Sequence, residues 1–440
     1  MCNNISFLTG INDPYLKFDK PATTIENGRK VIHLLQSLPM HCPVCGQLMQ
    51  RNGWLRRRPV KIKILSIAGQ PTVLSIIKQQ YLCKPSASCP HPVTRVAPIQ
   101  GIQKGCRIAN LVKQHITLEL TQNISQTTIA RQHNVSTNTV SRALTQMQDS
   151  FTPNRQWLPV AIAFDDFKSG QFAQSGMSMI LMNPLNHRTI DIIESRQSKA
   201  LRHYFLLHYS FKARCAVKIV VVDLFQPYRR LIHELFPHAI IVADHFHVVV
   251  QAYRALQAVR IHVMNQYGTG THEYRLLKRF WKLLMQKIDH LDFKHYYRRR
   301  IFGNACLSNS EIVDRLLSLS DDLKVAYEYY QILISAVNYH DSAVLRQLLS
   351  WKLTQLPQPF QKTQRTLRLH KQEIINSFQC QLTNGPIEGT NNKIKAIKRT
   401  AYGFRNFEHF RIRILLALKN SNLMIKTKPK EKVSSSSLAA

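Results

Sequence analysis

Acidic residues are scarce in this chain of 440 residues: 25 Asp plus Glu stand against 60 Lys plus Arg, a formal charge of +35. A chain so positive repels itself unless its partner is a polyanion, and nucleic acid is the commonest such partner. Long apolar runs are missing as well. No stretch approaches the ~18 to 20 residues of a spanning helix, and the start, MCNNISFLTG, lacks the pattern of a signal peptide. No membrane role is expected. Cysteine is sparse: nine residues, an odd number, at positions 2, 42, 45, 83, 89, 106, 215, 306 and 380. That count and the clustering of four argue against a secreted disulfide framework and for a reducing cytoplasm with one metal site. Internal repeats at solenoid periods are absent. Low complexity is confined to KTKPKEKVSSSSLAA, read as a disordered basic tail over 426–440.

What is there is globular: 44% of residues are apolar and 19% charged, over a length that suits roughly two to four domains. Residues 1–100 are expected to be a β-rich domain, since VIHLL, VKIKILSIAG and TVLSIIKQQYLC alternate or run apolar between turn residues. Residues 107–150 change to a helical period, and a linker, DSFTPNRQWLP, follows. From 159 the order is strand, strand, strand, helix, strand, helix, strand, through VAIAFDDF, MSMILMN, RTIDIIES, SKALRHYFLLHY, AVKIVVVD, PYRRLIHELF and AIIVADHF. That order predicts an α/β domain with a mixed sheet. Residues 251–380 read as almost wholly helical, with stretches such as YRLLKRFWKLLMQKI.

Cys42-Pro-Val-Cys45-Gly and Cys83-x5-Cys89 flank two strand-like runs. Each pair can sit on a tight turn at a hairpin end, so that four thiolates converge tetrahedrally on a structural Zn²⁺, with His41 and His91 as alternative ligands. Between the pairs, Trp54-Leu-Arg56-Arg57-Arg58 offers a basic edge to phosphate.

The stretch 125–148, SQTTIARQHNVSTNTVSRALTQMQ, reads as a helix-turn-helix. Ile129-Ala130 supplies the close contact of the first helix, Asn134 the left-handed turn residue, and Val135 the plug at the angle. Ser136 can cap a second helix whose Val140, Leu144 and Met147 point inward. Thr137, Asn138, Ser141 and Arg142 then face the major groove. The same pattern also fits an ordinary helical hairpin.

Carboxylates stand out in so basic a chain. VAIAFDDF carries Asp165 and Asp166, which strand alternation sends to opposite faces. AVKIVVVDLF delivers Asp223 just past a buried strand, where neighbouring strand-end carboxylates can share divalent metals. Asn384-Gly385-Pro386 signals a helix start, with Glu388 in its first turn. From there to Arg413 seven Lys or Arg accompany only Glu388 and Glu408. At ~100° per residue Glu388, Asn392, Lys395 and Arg399 share one face, while Ile387, Ile394 and Ile397 form another; Lys398 adds a further cation for DNA. Each acid taken alone also fits a turn residue or a complement to a helix dipole. Taken together they form a candidate two-metal site.

Over nearly its full length the chain resembles bacterial insertion-sequence transposases of the DDE type, specifically the ISL-three family. The resemblance is carried by CPVCG with Cys83 and Cys89, TIARQHNVSTNTVSRAL, IAFDDF, VVVD, ADHFHVV and IEGTNNKIKAIKRTAYGFRNFEHFRIRIL. It implies a multidomain α+β protein: a zinc ribbon within 1–100, a helix-turn-helix at 107–150, a ribonuclease-H-like α/β catalytic domain from 159–250 and 381–420, and an all-helical insertion at 251–380. It further implies a catalytic triad of Asp165, Asp223 and Glu388 on two Mg²⁺ or Mn²⁺ ions. Asp166 stands where the family often has Glu. Asp244-x-x-His247 resembles a Cys/Asp-x-x-His signature near the active site, and Asp244 is a rival to Asp223 as second metal ligand. Within the insertion, Arg279-Phe280-Trp281-Lys282 and Tyr296-Tyr297-Arg298-Arg299-Arg300 suit either DNA-end contact or amphipathic helices.

The expected function is binding of terminal inverted repeats, metal-dependent strand cleavage and 3′-hydroxyl strand transfer. The partners would be the duplex DNA of the element's ends and of the target. The protein would act in the bacterial cytoplasm, on the nucleoid when bound to DNA, and as a homo-oligomer in the synaptic complex. A catalytically inactive or regulatory DNA-binding derivative is the alternative of another class, and a metal-dependent nuclease on the same fold is a third.

Overall fold

β-Branched runs bounded by Gly, Pro and Asn suit a pleated, half-buried surface, and the runs read as strands are strands. The computed structural model describes residues 4–418 except 100, 101, 103, 104, 149–152, 381 and 383. The expected basic tail at 426–440 lies outside the described residues. The chain divides into two compact units. One is formed by the described residues of Met1–Thr152 and Ile394–Lys419, the other by those of Pro153–Lys393.

In the first unit a short helix, α1 (Asn4–Thr9), precedes a six-stranded sheet: β1 (Leu16–Glu26), β2 (Arg29–Gln36), β3 (Gln50–Trp54), β4 (Val60–Lys63), β5 (Thr72–Cys83) and β6 (Val93–Val96). The long strand β5 organises it. Its first half pairs with β2 and β4, and its second half with β3 and β6, ending at Cys83. Leu74 and Ile76 of the first half bury against Leu34 and Ile62, in one core with three helices: α2 (Asn110–Glu119), α3 (Gln126–Gln132) and α4 (Thr137–Met147).

The second unit begins with β7 (Ala161–Lys168), β8 (Met177–Asn183) and β9 (Arg188–Ile193). It continues through α5 (Ser198–His208), α6 (Phe211–Cys215), β10 (Ile219–Val222), α7 (Pro227–Leu235), β11 (Ile240–Ala243) and α8 (His245–Tyr267). The mixed sheet has the order β11-β10-β7-β8-β9. The first three strands in sequence form an antiparallel meander, and β10 and β11 add in parallel beside β7. Ile162 and Phe164 of β7 pack with Phe205, Leu231 and Phe236 on one face of that sheet. Side chains alternate along a strand, so Asp165 is directed to the opposite face.

Residues beyond α8 are helical, as expected, through α9 (His272–Arg279), α10 (Trp281–Met285), α11 (Asn309–Leu317), α12 (Asp321–Asn338), α13 (Ser342–Ser350), α14 (Gln358–Leu369) and α15 (Lys371–Cys380). Leu256 of α8, with Leu277, Leu333 and Phe360, lies in their separate core. One departure from an all-helical region is a hairpin of β12 (Tyr297–Arg299) and β13 (Ala305–Leu307). Gly303 and Asn304, both at φ 64°, reverse the chain there, so the Tyr-Tyr-Arg-Arg-Arg run is a strand and turn rather than a helix face. The long stretch around Phe280-Trp281 breaks into two helices at Phe280. Two further helices close the described chain, α16 (Gly385–Thr400) and α17 (Phe407–Ala417). Helix α16 is shared between the units: it belongs to the second through Lys393 and to the first from Ile394.

Candidate active site and DNA-binding surfaces

Register brings the acids of the sheet together. Val221 of β10 lies opposite Ala163 of β7 and beside Val242 of β11. Two residues on from the first pair, Asp165 and Asp223 therefore end up at the same level of adjacent parallel strands, and Asp244 follows at the end of the next. Asp165 accepts the Asp166 backbone N–H on Oδ1 at 2.9 Å and the Asn391 side-chain amide on Oδ2 at 2.7 Å. Asp223 accepts the Phe225 N–H at 3.1 Å. Asp166 points away from Asp165, to a 2.5 Å ion pair with Arg196.

Burial pushes the Asp165 carboxyl up to about 7, with the negative charges of Asp166, Asp223 and Asp244 adding to it. Burial also raises Asp223 and Asp244, and His247 pulls both part of the way back. Among the described residues, no Lys or Arg forms an ion pair with Asp165, Asp223, Asp244 or Glu388. Carboxylates held close with their charge unbalanced are what a bound cation would relieve.

Asp244 has a different setting. It is 2% exposed and caps α8, and its Oδ1 accepts from the backbone N–H groups of Phe246 at 3.4 Å and Asn384 at 3.3 Å. The Asn384 side chain in turn donates to the carbonyl of Phe164 at 3.1 Å. One buried carboxylate thus ties the start of α8 to the residue preceding α16, and that residue is tied to the strand position just before Asp165.

Glu388 is exposed in the first turn of α16, and its charge helps to raise Asp244. Asn392, Lys395 and Arg399 are exposed on the helix they share with it, and Lys398 is half-buried. The apolar stripe is as expected: Ile387, Ile394 and Ile397 are each 1% exposed. Asn391, passed over in favour of Asn392, is the residue that reaches Asp165. Its position four after Ile387 and three before Ile394 puts it on the buried stripe, and a polar residue on such a stripe was the available signal.

The described residues fit a hydrated divalent cation beside these acids. The ring Nε2 of His247 and the Oδ1 atoms of Asn384 and Asn391 are buried without a hydrogen-bond partner among them, and an ion with its waters supplies both missing donors and missing positive charge. No three of the acids bring their oxygens within 4.8 Å of one another; among the described residues the cysteine quartet alone does so for metal-ligating groups. A pair of ions ~3.5 to 4 Å apart, each ligated at ~2.0 to 2.1 Å, spans a wider set of ligands than that.

At the quartet, Cys42 and Cys89 place their sulfurs 3.8 Å apart, and Cys45 and Cys83 theirs 3.6 Å apart. Tetrahedral Zn–S bonds of ~2.3 Å put sulfurs ~3.8 Å from one another. Backbone N–H donation from Cys45 lowers the Cys42 thiol to about 6, while burial pushes Cys83 up to about 12. His41 and His91 are not needed as ligands: the four sulfurs already form the cluster. Arg56, Arg57 and Arg58 are exposed just after β3, and Arg56 pairs with Asp19 at 3.5 Å.

The helix-turn-helix forms as its sequence dictates. Asn134 adopts φ 52° at the turn, and the Ser136 hydroxyl caps α4 by accepting from the Thr139 N–H. Ile129, Val140 and Leu144 are fully buried. Thr137, Asn138 and Arg142 are exposed, whereas Ser141 is half-buried beneath His409 of α17.

Comparison with known proteins decides the family. Residues 162–414 match a family described as transposase, DDE type of ISL3. The chain belongs to that family. Residues 97–146 match the helix-turn-helix domain of transposase family ISL3, and residues 38–90 match the zinc-finger of transposase IS204/IS1001/IS1096/IS1165. A transposase for insertion sequence element IS1001 from Bordetella parapertussis is 27% identical over 243 residues, 54% of this chain and 56% of that one. A Lactococcus lactis subsp. lactis protein named ATP-dependent protease is 39% identical over 123 residues, 28% of this chain and 38% of that one. The chain thus spans little more than half the length of one relative and less of the other. Among the described residues no helix is long and apolar enough to cross a membrane.

Proposed function

We propose that the chain is a DNA transposase that binds the terminal inverted repeats of its element, cleaves the strand at the element's end and joins the freed 3′-hydroxyl to target DNA. The observation that carries this reading is the pairing of β7 with β10, whose register carries Asp165, within β7, level with Asp223, just past the end of β10. A sheet whose first and fourth strands are neighbours is what the ribonuclease-H-like reading requires.

In this reading Asp165, Asp223 and Glu388 hold two Mg²⁺ or Mn²⁺ ions. When bound, such a pair activates the attacking oxygen and stabilises the leaving one in an in-line phosphoryl transfer, without a covalent protein nucleophile. The chain's own residues do the positioning. Asn391 orients Asp165, and Asp244, whose Oδ1 accepts two backbone N–H groups, ties down the approach to α16, with Asp223 taken as the second ligand. The exposed cations Lys395 and Arg399 lie about two and three turns beyond Glu388, with Lys398, and offer contacts to the strand phosphates. Thr137, Asn138 and Arg142 read the duplex ends, and Arg56, Arg57 and Arg58 add phosphate contacts. A structural Zn²⁺ sits on the four cysteines, and two element ends call for at least two copies of the chain in the synaptic complex. The setting is the bacterial cytoplasm, on the nucleoid when the chain is bound to DNA.

The test incubates purified protein with Mg²⁺ or Mn²⁺ and labelled end DNA. Nicking at the end followed by joining of the 3′ strand to a second duplex supports the transposase. Nicking without joining points to a nuclease, and binding without either to a regulator.

A further inference from the structure

A cavity of about 290 Å³ in the first unit is walled by the start of α4 on one side and by α17 with the loop before it on the other. Every charged or titratable side chain that lines it is basic: Arg405, His409 and Arg413. Arg413 is 3% exposed. Its Nη2 donates to the carbonyls of Gln122 and Ile124 at 2.6 and 2.5 Å, while Nη1 has no partner among the described residues. Among the described residues no carboxylate pairs with it, and although burial lowers it to about 10 it stays charged at neutral pH. An arginine buried without a counter-ion is costly, unless a ligand provides the anion.

The opposite wall presents Thr137 and Asn138, the first two residues of an 11-residue helix. Ser136 takes the Thr139 N–H, which leaves the earlier N–H groups of that turn for an outside acceptor, at the positive end of the helix dipole. His409 is fixed in place by Ser141 at 3.4 Å and Thr145 at 3.0 Å. Exposed Arg405 stands at the rim. A cationic wall facing helix N–H groups is the chemistry of a phosphate seat.

We propose that this cavity seats a backbone phosphate of the bound duplex, so that α17 and its preceding loop complete the DNA-binding surface of the helix-turn-helix. The inference rests on the DNA-binding reading and deepens it.

The test measures binding of the full chain to end duplex and to a random duplex by fluorescence anisotropy over a range of salt. Arg405→Gln is predicted to weaken both duplexes by the same factor and to reduce the slope of log K against log salt by about 0.9, the loss of one phosphate contact. An unchanged slope for Arg405→Gln, with wild-type protein binding normally, overturns the seat and leaves the DNA-binding reading standing. Failure of wild type to bind either duplex overturns both. Sodium phosphate against chloride at equal ionic strength should raise the melting temperature of wild type and not of Arg405→Gln. If phosphate does so but the DNA slope is unchanged, the cavity takes a free anion and the proposal falls. Arg413→Met, checked for folding by circular dichroism, should lose at least as much DNA affinity. A folded Arg413→Met that binds like wild type contradicts the seat.

Discussion

Asn391 donates its side-chain amide to Oδ2 of Asp165 at 2.7 Å, from the buried stripe of the helix that carries Glu388 one turn earlier. The bond leaves Asp165 one preferred orientation, which is how a partner behind a metal ligand raises affinity. Asn391→Ala is expected to raise the Mg²⁺ concentration for half-maximal cleavage by about 10- to 100-fold, with end-DNA affinity unchanged. A metal titration of cleavage rate checks this, and an unaltered midpoint would remove Asn391 from the site.

The raised Asp165 carboxyl makes a statement about stability. A group held near pH 7 in the folded chain and near 4 when unfolded binds its proton more tightly when folded. Its contribution is therefore fully present below pH 4 and is lost as pH rises towards 7 and beyond. In chelator, Asp165→Asn should abolish that loss, melting about 2 to 4 °C above wild type at pH 8 for each kcal/mol recovered, with a smaller difference at pH 5. Melting curves at the two values test it.

Asp244 and Asp223 should separate cleanly. Asp244→Asn keeps an oxygen that can accept the Phe246 and Asn384 N–H groups, so cleavage is expected within about tenfold of wild type, whereas Asp244→Ala leaves those donors unpaired and costs about 1 to 3 kcal/mol of stability. Asp223→Asn should abolish cleavage with folding and DNA binding intact. Cleavage rates and melting temperatures of the three variants decide between the two acids.

Much of this was legible beforehand, for reasons visible in individual residues. The strand order from 161 to 243 follows from runs such as IVVV and IIVA, too short and too β-branched for helices. Asn134 and Ser136 announced their turn and cap by residue type alone. The rest depended on tertiary packing. Whether Asn391 or Asn392 faced inward turned on one 100° step. The role of Asp244 lay in two N–H partners, one of them 140 residues away. Nor does any local pattern reveal that Arg413, in a helix rich in apolar residues, is a buried cation.

The cysteine quartet should hold one Zn²⁺ per chain. Protein purified without added metal is expected to release one equivalent on treatment with a thiol-modifying reagent, and Cys89→Ser to hold less zinc and lose the β3–β5–β6 region's protection from hydrogen exchange. Full protection in a zinc-free Cys89→Ser variant would show that the ribbon folds without its metal.

The central claim is that Asp165, Asp223 and Glu388 hold a shared pair of cations. Anomalous diffraction from crystals of the chain with end DNA and Mn²⁺ tests it most directly. Two manganese peaks ~3.5 to 4 Å apart, with Asp165, Asp223 and Glu388 as ligands and Asp244 still on its backbone donors, are the predicted result. Manganese bound by Asp244 in place of Asp223, or absent from these acids in an active crystal, would contradict the account.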